Sequence, residues 1–266
     1  MCESSDCEFS RIVAFIDILG TSEILKHGDK TQLDQYIDGI EGLYSKIRDQ
    51  VPIENLKMFS DNILIYTDGT TQENIESLLE SVAMIQLYLI QEFNLFIRGG
   101  VVSGVLNHIP KDADDFIVGS AIVDAHHIES HVAIYPRVVV SNDILQIYDP
   151  ISKTIPIVKD DWDQPFIDYL SIVEIEGFVD NSQLEAHRNA LIKHIHDDSL
   201  MKECSVDGWD RIRNKDLWAL SYHNDFCYNH DMHEYAISFI EEYSREAQKI
   251  IIRIIDKGLE VENDAI

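Results

Sequence analysis

Two aspartates stand out by position. Asp17 lies near the end of the apolar run that starts at Arg11, with Phe15 and Ile16 before it and Ile18 and Leu19 after it. Asp61 sits between two further apolar runs, Leu56 to Phe59 and Ile63 to Tyr66. A carboxylate flanked by apolar residues is costly to bury unless it is paired or binds a metal. Two such carboxylates within reach of each other suit hard divalent cations such as Mg²⁺ or Mn²⁺, which take carboxylate, carbonyl and phosphate oxygens. The plainer alternative is that Asp17 caps the segment after it and Asp61 only makes a turn. The fold decides between them.

The apolar patterning gives the elements that must position these residues. Residues 11–19 form a short apolar run ending at Gly20, which suits a buried strand. Leu33, Tyr36, Ile37, Ile40, Leu43, Tyr44 and Ile47 recur at helical spacing, and Pro52 closes that helix. Residues 56–67 form two strands with a tight reversal near Asp61 and Asn62. A helix over 71–94 turns Ile75, Leu78, Leu79, Val82 and Ile85 inward. A glycine-bearing strand spans 95–106, a polar loop 107–116, a helix 119–130 and a last strand 133–141.

That order is the split βαβ pattern of a ferredoxin-like, palm-type α+β fold, with an antiparallel-rich sheet covered by helices. In such a sheet the first strand lies beside the following hairpin, so Asp17 and Asp61 become neighbours. The expected organisation is a disordered lead over 1–9, a catalytic domain over 10–145 and a mainly helical C-terminal extension over 146–266. The extension carries helices at 182–197, 213–227 and, strongly amphipathic, 232–256.

Charge narrows the function classes. The chain has 266 residues with 48 acidic against 21 basic side chains, a formal charge of −27. Wrapping nucleic acid or sitting on an anionic membrane needs clustered Lys and Arg, so neither is expected. A nucleotide substrate is compatible, because metal ions supply positive charge locally. No apolar window approaches a membrane span and the polar N-terminus is no signal peptide, so a cytoplasmic protein is expected. The four cysteines, Cys2, Cys7, Cys204 and Cys227, show no CxxC spacing and are expected as reduced thiols. The histidine pairs His126/His127 and His230/His233 have no matching further ligands in their spacing. The aromatics Trp218, Tyr222, Phe226 and Tyr228 are most simply core or dimer contacts.

Four segments, in order, carry a resemblance: 15–20 around Asp17, 56–63 around Asp61, 98–104 opening with Arg98-Gly99-Gly100, and 119–130 opening with Gly119. Together they resemble the class III nucleotide cyclase domain over roughly 10–141. They are most similar to the bacterial pyrimidine cyclases of Pycsar antiphage defence. Segments 166–170 and 215–224 of the extension resemble that subfamily too.

The resemblance implies an enzyme that converts UTP or CTP, UTP favoured, into the 3′,5′-cyclic monophosphate and pyrophosphate, as second-messenger synthase. It implies two divalent cations, Mn²⁺ or Mg²⁺, on Asp17, Asp61 and the Ile18 carbonyl. One lowers the pKa of the ribose 3′-hydroxyl and the other clamps the triphosphate. Arg98 matches the strand arginine that contacts phosphates. Ser60 falls in the substrate-binding segment. A homodimer with active sites at the interface is implied, as is a separate effector that responds to the cyclic product.

Lys57 falls where purine-specific members place a base-reading lysine; it is either a base contact or a solvated strand residue. Phe116 stands at the facing pocket position, and a bulky wall there favours a smaller base. The Asn and Arg that typical members carry after Gly119 are replaced by Val123 and His127. His127, if protonated, or Arg137 is then the candidate to meet charge at the α-phosphate. Each has a plainer role, His127 as a helix-surface histidine and Arg137 as an ion-pair partner of Glu129. The loss of that pair also favours an inactive nucleotide sensor, and Lys57 favours an adenylate cyclase.

Overall fold

A computed structural model of the chain describes residues 10–21, 30–50, 55–109, 116–148, 155–160, 162–175, 178–195 and 206–238. These fall into two compact units, Met1–Asp180 and Asn181–Ile266.

The first unit is an α+β fold built on a mixed seven-stranded sheet. Strand β1 (Ser10–Ile18) leads to helix α1 (Lys30–Gln50), then β2 (Leu56–Phe59), β3 (Asn62–Tyr66), α2 (Gln72–Tyr88) and β4 (Ile97–Val105). Next come β5 (Asn107–Ile109), β6 (Phe116–Val118), α3 (Ser120–His131), β7 (Val138–Val140), α4 (Asn142–Ile147), β8 (Ile157–Lys159) and β9 (Pro165–Ile167). The sheet order is β2-β3-β1-β4-β7-β9-β8. The stretch β2-β3-β1-β4 is two interlocked split βαβ units, the ferredoxin-like order expected from the sequence. Among the described residues only the β4–β7 pairing is parallel; it follows the α3 crossover.

β1 is apolar nearly throughout because it is central, with neighbours on both edges and packing on both faces: Ile12 to Ile16 are all buried. Strand register fixes which side chains share a face. Asp17 pairs with Asn62 on β3 and with Arg98 on β4, and Asn62 pairs with Phe59 on β2. One row further in, Phe15 pairs with Leu64 and Gly100, and Leu64 with Lys57. Directly opposed residues project to the same side, so Phe59, Lys57, Asp17 and Arg98 share a face. Val13, Phe15, Leu64, Tyr66 and Val102 pack there against Ala121 and Ala125 of α3.

Gly100 lets α3 sit this close. A Cβ at Gly100 would lie 2.6 Å from the Ala125 carbonyl oxygen and 2.6 Å from the Ile128 Cβ. The opposite face, with Ile12, Ala14 and Ile16, receives α2, whose buried residues include Ile75, Leu78, Leu79, Val82 and Ile85 as its spacing predicts. In α1, Leu43 and Ile47 are buried, whereas Ile37 of the expected stripe is exposed.

Four expectations differ from the structure. The predicted loop over 107–116 contains the paired strands β5 and β6. The last strand, expected over 133–141, is confined to Val138–Val140, because Pro136 offers no N–H and Arg137 turns toward another partner. The sheet does not stop near residue 145: β9 pairs with β7 and β8 with β9, so the first unit runs to Asp180. The hairpin reverses at Ser60-Asp61, one residue earlier than expected, with Ser60 in the left-handed region at φ 56°.

The second unit contains α5 (Asn181–Ile195) and α6 (Val206–Asn229). It is mainly helical, as expected. Of the helix predicted over 232–256, residues up to 238 are described and carry a short 3-10 turn at His233–Tyr235; the remainder lies outside the described residues, as do the lead 1–9 and Cys2, Cys7 and Cys204. Cys227 is a free, buried thiol, and burial pushes it up to about 11. Among the described residues no helix is long and apolar enough to cross a membrane.

Candidate active site

The end of β1 and the β2–β3 turn meet at one edge of the α3 face. The Ile18 backbone N–H donates to the Asp61 carbonyl at 3.0 Å and holds the turn against the strand end. Gly20, at φ 90°, then bends the chain back on itself, a conformation L side chains rarely adopt. The bend returns the buried Thr21 hydroxyl to 3.0 Å from the Ile18 carbonyl oxygen and 2.5 Å from Asp61 Oδ2. A hydroxyl has one proton, so these two acceptors share it. Asn62 Nδ2 donates to Asp61 Oδ1 at 3.1 Å.

Asp17 faces Arg98. Arg98 Nε donates to Asp17 Oδ2 at 3.1 Å, and its Nη2 lies 2.7 Å from Glu129 Oε1. The Asp17 and Arg98 side chains keep 19% and 24% of their surface exposed, but Glu129 only 4%. Glu129 is held above the usual carboxylate range, first by burial. Arg98 pulls it down, Asp17 pushes it up, His126 lowers it and Asp61 raises it. Both aspartates therefore act on the same buried carboxylate. Three acids and one guanidinium share the corner, leaving it short of positive charge.

The oxygens gathered here are two carboxylates and the Ile18 carbonyl. That donor set fits a hard divalent cation and leaves the other coordination positions to water or phosphate oxygens. Two of them already converge on one atom, the Thr21 hydroxyl. Among the described residues no group of three or more His, Cys, Asp or Glu side chains is arranged to hold a metal ion.

The structure thus brings Asp17, Ile18, Asp61 and Arg98 together. Ser60 is the exposed turn residue beside them. Lys57 is on the same face, two strands from Asp17 and one row further in. The remaining candidates are elsewhere. Phe116, 57% exposed, begins β6, whose partner β5 follows the end of β4 remote from Arg98. His127 is exposed and stacks on His131 at 4.5 Å. Arg137 is buried in an ion pair with Asp160, not Glu129, and burial brings it down to about 10.

Three residues at the corner, Thr21, Glu129 and His126, were not assigned to the site from sequence. Thr21 carries no signal beyond its place after a strand-ending glycine. Glu129 does: Ala121, Ala125 and Glu129 recur every four residues on the buried stripe of α3. A carboxylate on that stripe needs a buried partner. His126, not His127, is turned to the site face, edge-on to Phe15 at 5.1 Å and 3.8 Å from Glu129 Oε2.

No protein-family model matches the chain, and no curated protein matches it. Among solved structures it is similar to the adenylyl cyclase CyaB from P. aeruginosa, at 17% identity and a TM-score of 0.46, covering 59% of this chain and 91% of that one. It is similar also to the dimeric guanylyl cyclase domain of the RhoGC fusion protein from Blastocladiella emersonii, at 18% identity and a TM-score of 0.46, covering 60% and 93%. A third similarity is to the guanylate cyclase domain of RhGC from Catenaria anguillulae, in complex with GTP, at 16% identity and a TM-score of 0.45, covering 60% and 94%.

Proposed function

We propose that the chain is a nucleotide cyclase that acts on a pyrimidine ribonucleoside triphosphate. The observation that supports it most is the meeting of Asp17, the Asp61 turn and Arg98 at one end of a ferredoxin-like sheet. Asp17, Asp61 and the Ile18 carbonyl would hold the divalent cations, Mn²⁺ or Mg²⁺. When bound, the ions supply the charge that makes the ribose 3′-hydroxyl acidic and neutralises the departing pyrophosphate.

In the reaction the 3′-oxygen attacks the α-phosphorus, its proton leaves to solvent, and the bond to the β-phosphate oxygen breaks. Arg98 binds phosphate oxygens through its planar fork. Thr21 holds the Asp61 carboxylate and the Ile18 carbonyl in their relative positions. The hydrogen-bonded turn keeps Asp61 against β1, so little reorganisation is needed when substrate arrives.

The pyrimidine preference rests on the sequence resemblance and on the bulk of Phe116. Phe116 and His127 project from the first unit away from the corner around Asp17. They would serve the site of a second copy, which suits a homodimer with shared active sites. In the wider reading the cyclic product is a cytoplasmic second messenger of antiphage defence, sensed by a separate effector.

The alternative is a cyclase-fold domain that binds nucleotide without turning it over. Val123 and His127, in place of the Asn and Arg of typical members, favour it. Incubating the protein with each of the four ribonucleoside triphosphates and Mn²⁺, then resolving the products by chromatography, separates the readings. Cyclic UMP or cyclic CMP with pyrophosphate is expected. Cyclic AMP or cyclic GMP as the main product would overturn the pyrimidine assignment, and nucleotide binding without product would identify the inactive domain.

A further inference from the structure

We infer that Glu129 is a positioning residue that retains Arg98 when a divalent cation takes its place on Asp17. The inference rests on the metal-site reading above and adds a residue to it.

A cation on Asp17 and the Arg98 guanidinium compete for the same carboxylate. Arg98 Nε is on Asp17 Oδ2 at 3.1 Å. A divalent ion on that carboxylate would repel the guanidinium and take the lone pairs it uses. An arginine displaced within a half-buried corner needs another anion, since a stranded charge away from water is costly.

Glu129 supplies it. Its Oε1 already lies 2.7 Å from Arg98 Nη2, the nitrogen next to the Nε–H that donates to Asp17. The carboxylate is almost fully buried, so solvent screens the pair little. It is also fixed in place, because α3 presses on β4 at Gly100, where no Cβ fits. Asp17 and Glu129 therefore form two berths for one guanidinium. With both filled, Arg98 covers Asp17. With a cation on Asp17, Arg98 would pair with Glu129 alone, which frees its Nε–H for a phosphate oxygen. Without Glu129, Arg98 has only Asp17 to pair with and opposes the cation.

Mn²⁺ binding to the full chain, read by electron paramagnetic resonance of the free ion, tests this. Glu129→Gln, which keeps shape and removes charge, should weaken Mn²⁺ binding about tenfold. Arg98→Gln should tighten it, and Glu129→Gln added to Arg98→Gln should change nothing further. An equal loss in both backgrounds would mean that Glu129 acts on the cation directly, and overturns the inference. So does an unchanged affinity in the single variant.

A second readout does not depend on the stability of Glu129→Gln. In the unsubstituted protein the Arg98 Nε–H signal in ¹⁵N spectra should shift as Mg²⁺ is added and remain sharp. If it does not move at saturating Mg²⁺, Arg98 never leaves Asp17 and the inference is wrong. Mn²⁺ binding that is insensitive to Asp17→Asn would instead remove the metal-site reading itself, and this inference with it.

Discussion

Two arginines enter the sheet side by side and do opposite things. Arg98 opens β4, and the Arg137 carbonyl accepts the N–H of the next residue, Gly99, at 3.1 Å. Arg137 meets the carboxylate of Asp160, and both side chains are buried. Asp160 is also occupied on its other oxygen, which accepts the backbone N–H groups of Trp162 at 3.0 Å and Gln164 at 2.9 Å. That pair is balanced, enclosed and committed to holding the β8–β9 turn. Arg98 meets two carboxylates, with Asp61 as a third acid nearby, and keeps contact with solvent. The first arrangement is closed to solvent. The second is short of positive charge and open to a ligand. Net charge imbalance beside partial exposure, more than the presence of an ion pair, separates a site from a strut.

The largest effects should divide along that line. Asp17→Ala or Asp61→Ala should cut turnover in the proposed cyclase reaction by about 10³-fold or more, with the thermal midpoint nearly unchanged. Asp160→Ala strands a buried guanidinium and should cost roughly 3–5 kcal/mol of folding free energy, with turnover lost only as the protein unfolds. Steady-state rates paired with denaturant unfolding of the three variants check this. A stable but inactive Asp160→Ala, or a fully active Asp17→Ala, would erase the distinction.

Much of this corner was legible in the sequence because it depends on local pattern. The run from Ile12 to Ile16 demanded a central strand, and the two apolar runs around Asp61 demanded a hairpin. The split βαβ order then made the two aspartates neighbours. What was hidden depends on phase and on distant pairing. His126 and His127 are adjacent in sequence, but a helix turns about 100° per residue, so they point to different surroundings. The buried period of Ala121, Ala125 and Glu129 sets that phase and would have selected His126 and Glu129. Strands β5, β6, β8 and β9 span three residues each, too few for alternation to register. Arg137 was within sequence reach of Glu129, but β9 beside β7 brings in Asp160 from a loop that no local pattern links to it.

The second unit extends the enclosed side of the comparison to a pair without net charge. His187 Nδ1 and His223 Nδ1 are 3.0 Å apart, and His223 Nε2 lies 3.0 Å from the Tyr235 carbonyl oxygen. A carbonyl only accepts, so His223 carries its proton on Nε2 and His187 donates through Nδ1; both rings are neutral. Burial holds His187 well below its ordinary value and brings His223 down to about 4. The unfolded chain takes up protons first as pH falls through about 6.5, so stability is complete above that pH and declines below it. By pH 5 the loss from His223 should be about 2 kcal/mol, and His187 adds to it in the same direction. Imidazole resonances of His187 and His223 should stay fixed between pH 7.5 and 5. Either one titrating above pH 6 would show that the pair is not enclosed.

The smallest effect concerns Thr21, where site and structure overlap. Its hydroxyl bridges the Ile18 carbonyl and Asp61, the two oxygens assigned to a cation, yet the residue is as buried as any core side chain. If it only filled space, Thr21→Val would be silent, because the two side chains have nearly the same shape. If it aligns the oxygens, Thr21→Val should lose about 1 kcal/mol, or roughly fivefold, in kcat/KM. Thr21→Ser keeps the hydroxyl and should recover most of that loss. The fall should appear in the Mn²⁺ concentration needed for half-maximal rate more than in KM for nucleotide, because the displaced oxygens bind the ion before they affect the substrate. Equal rates for Val and Ser would return Thr21 to the core and leave Asp61 held by its turn alone.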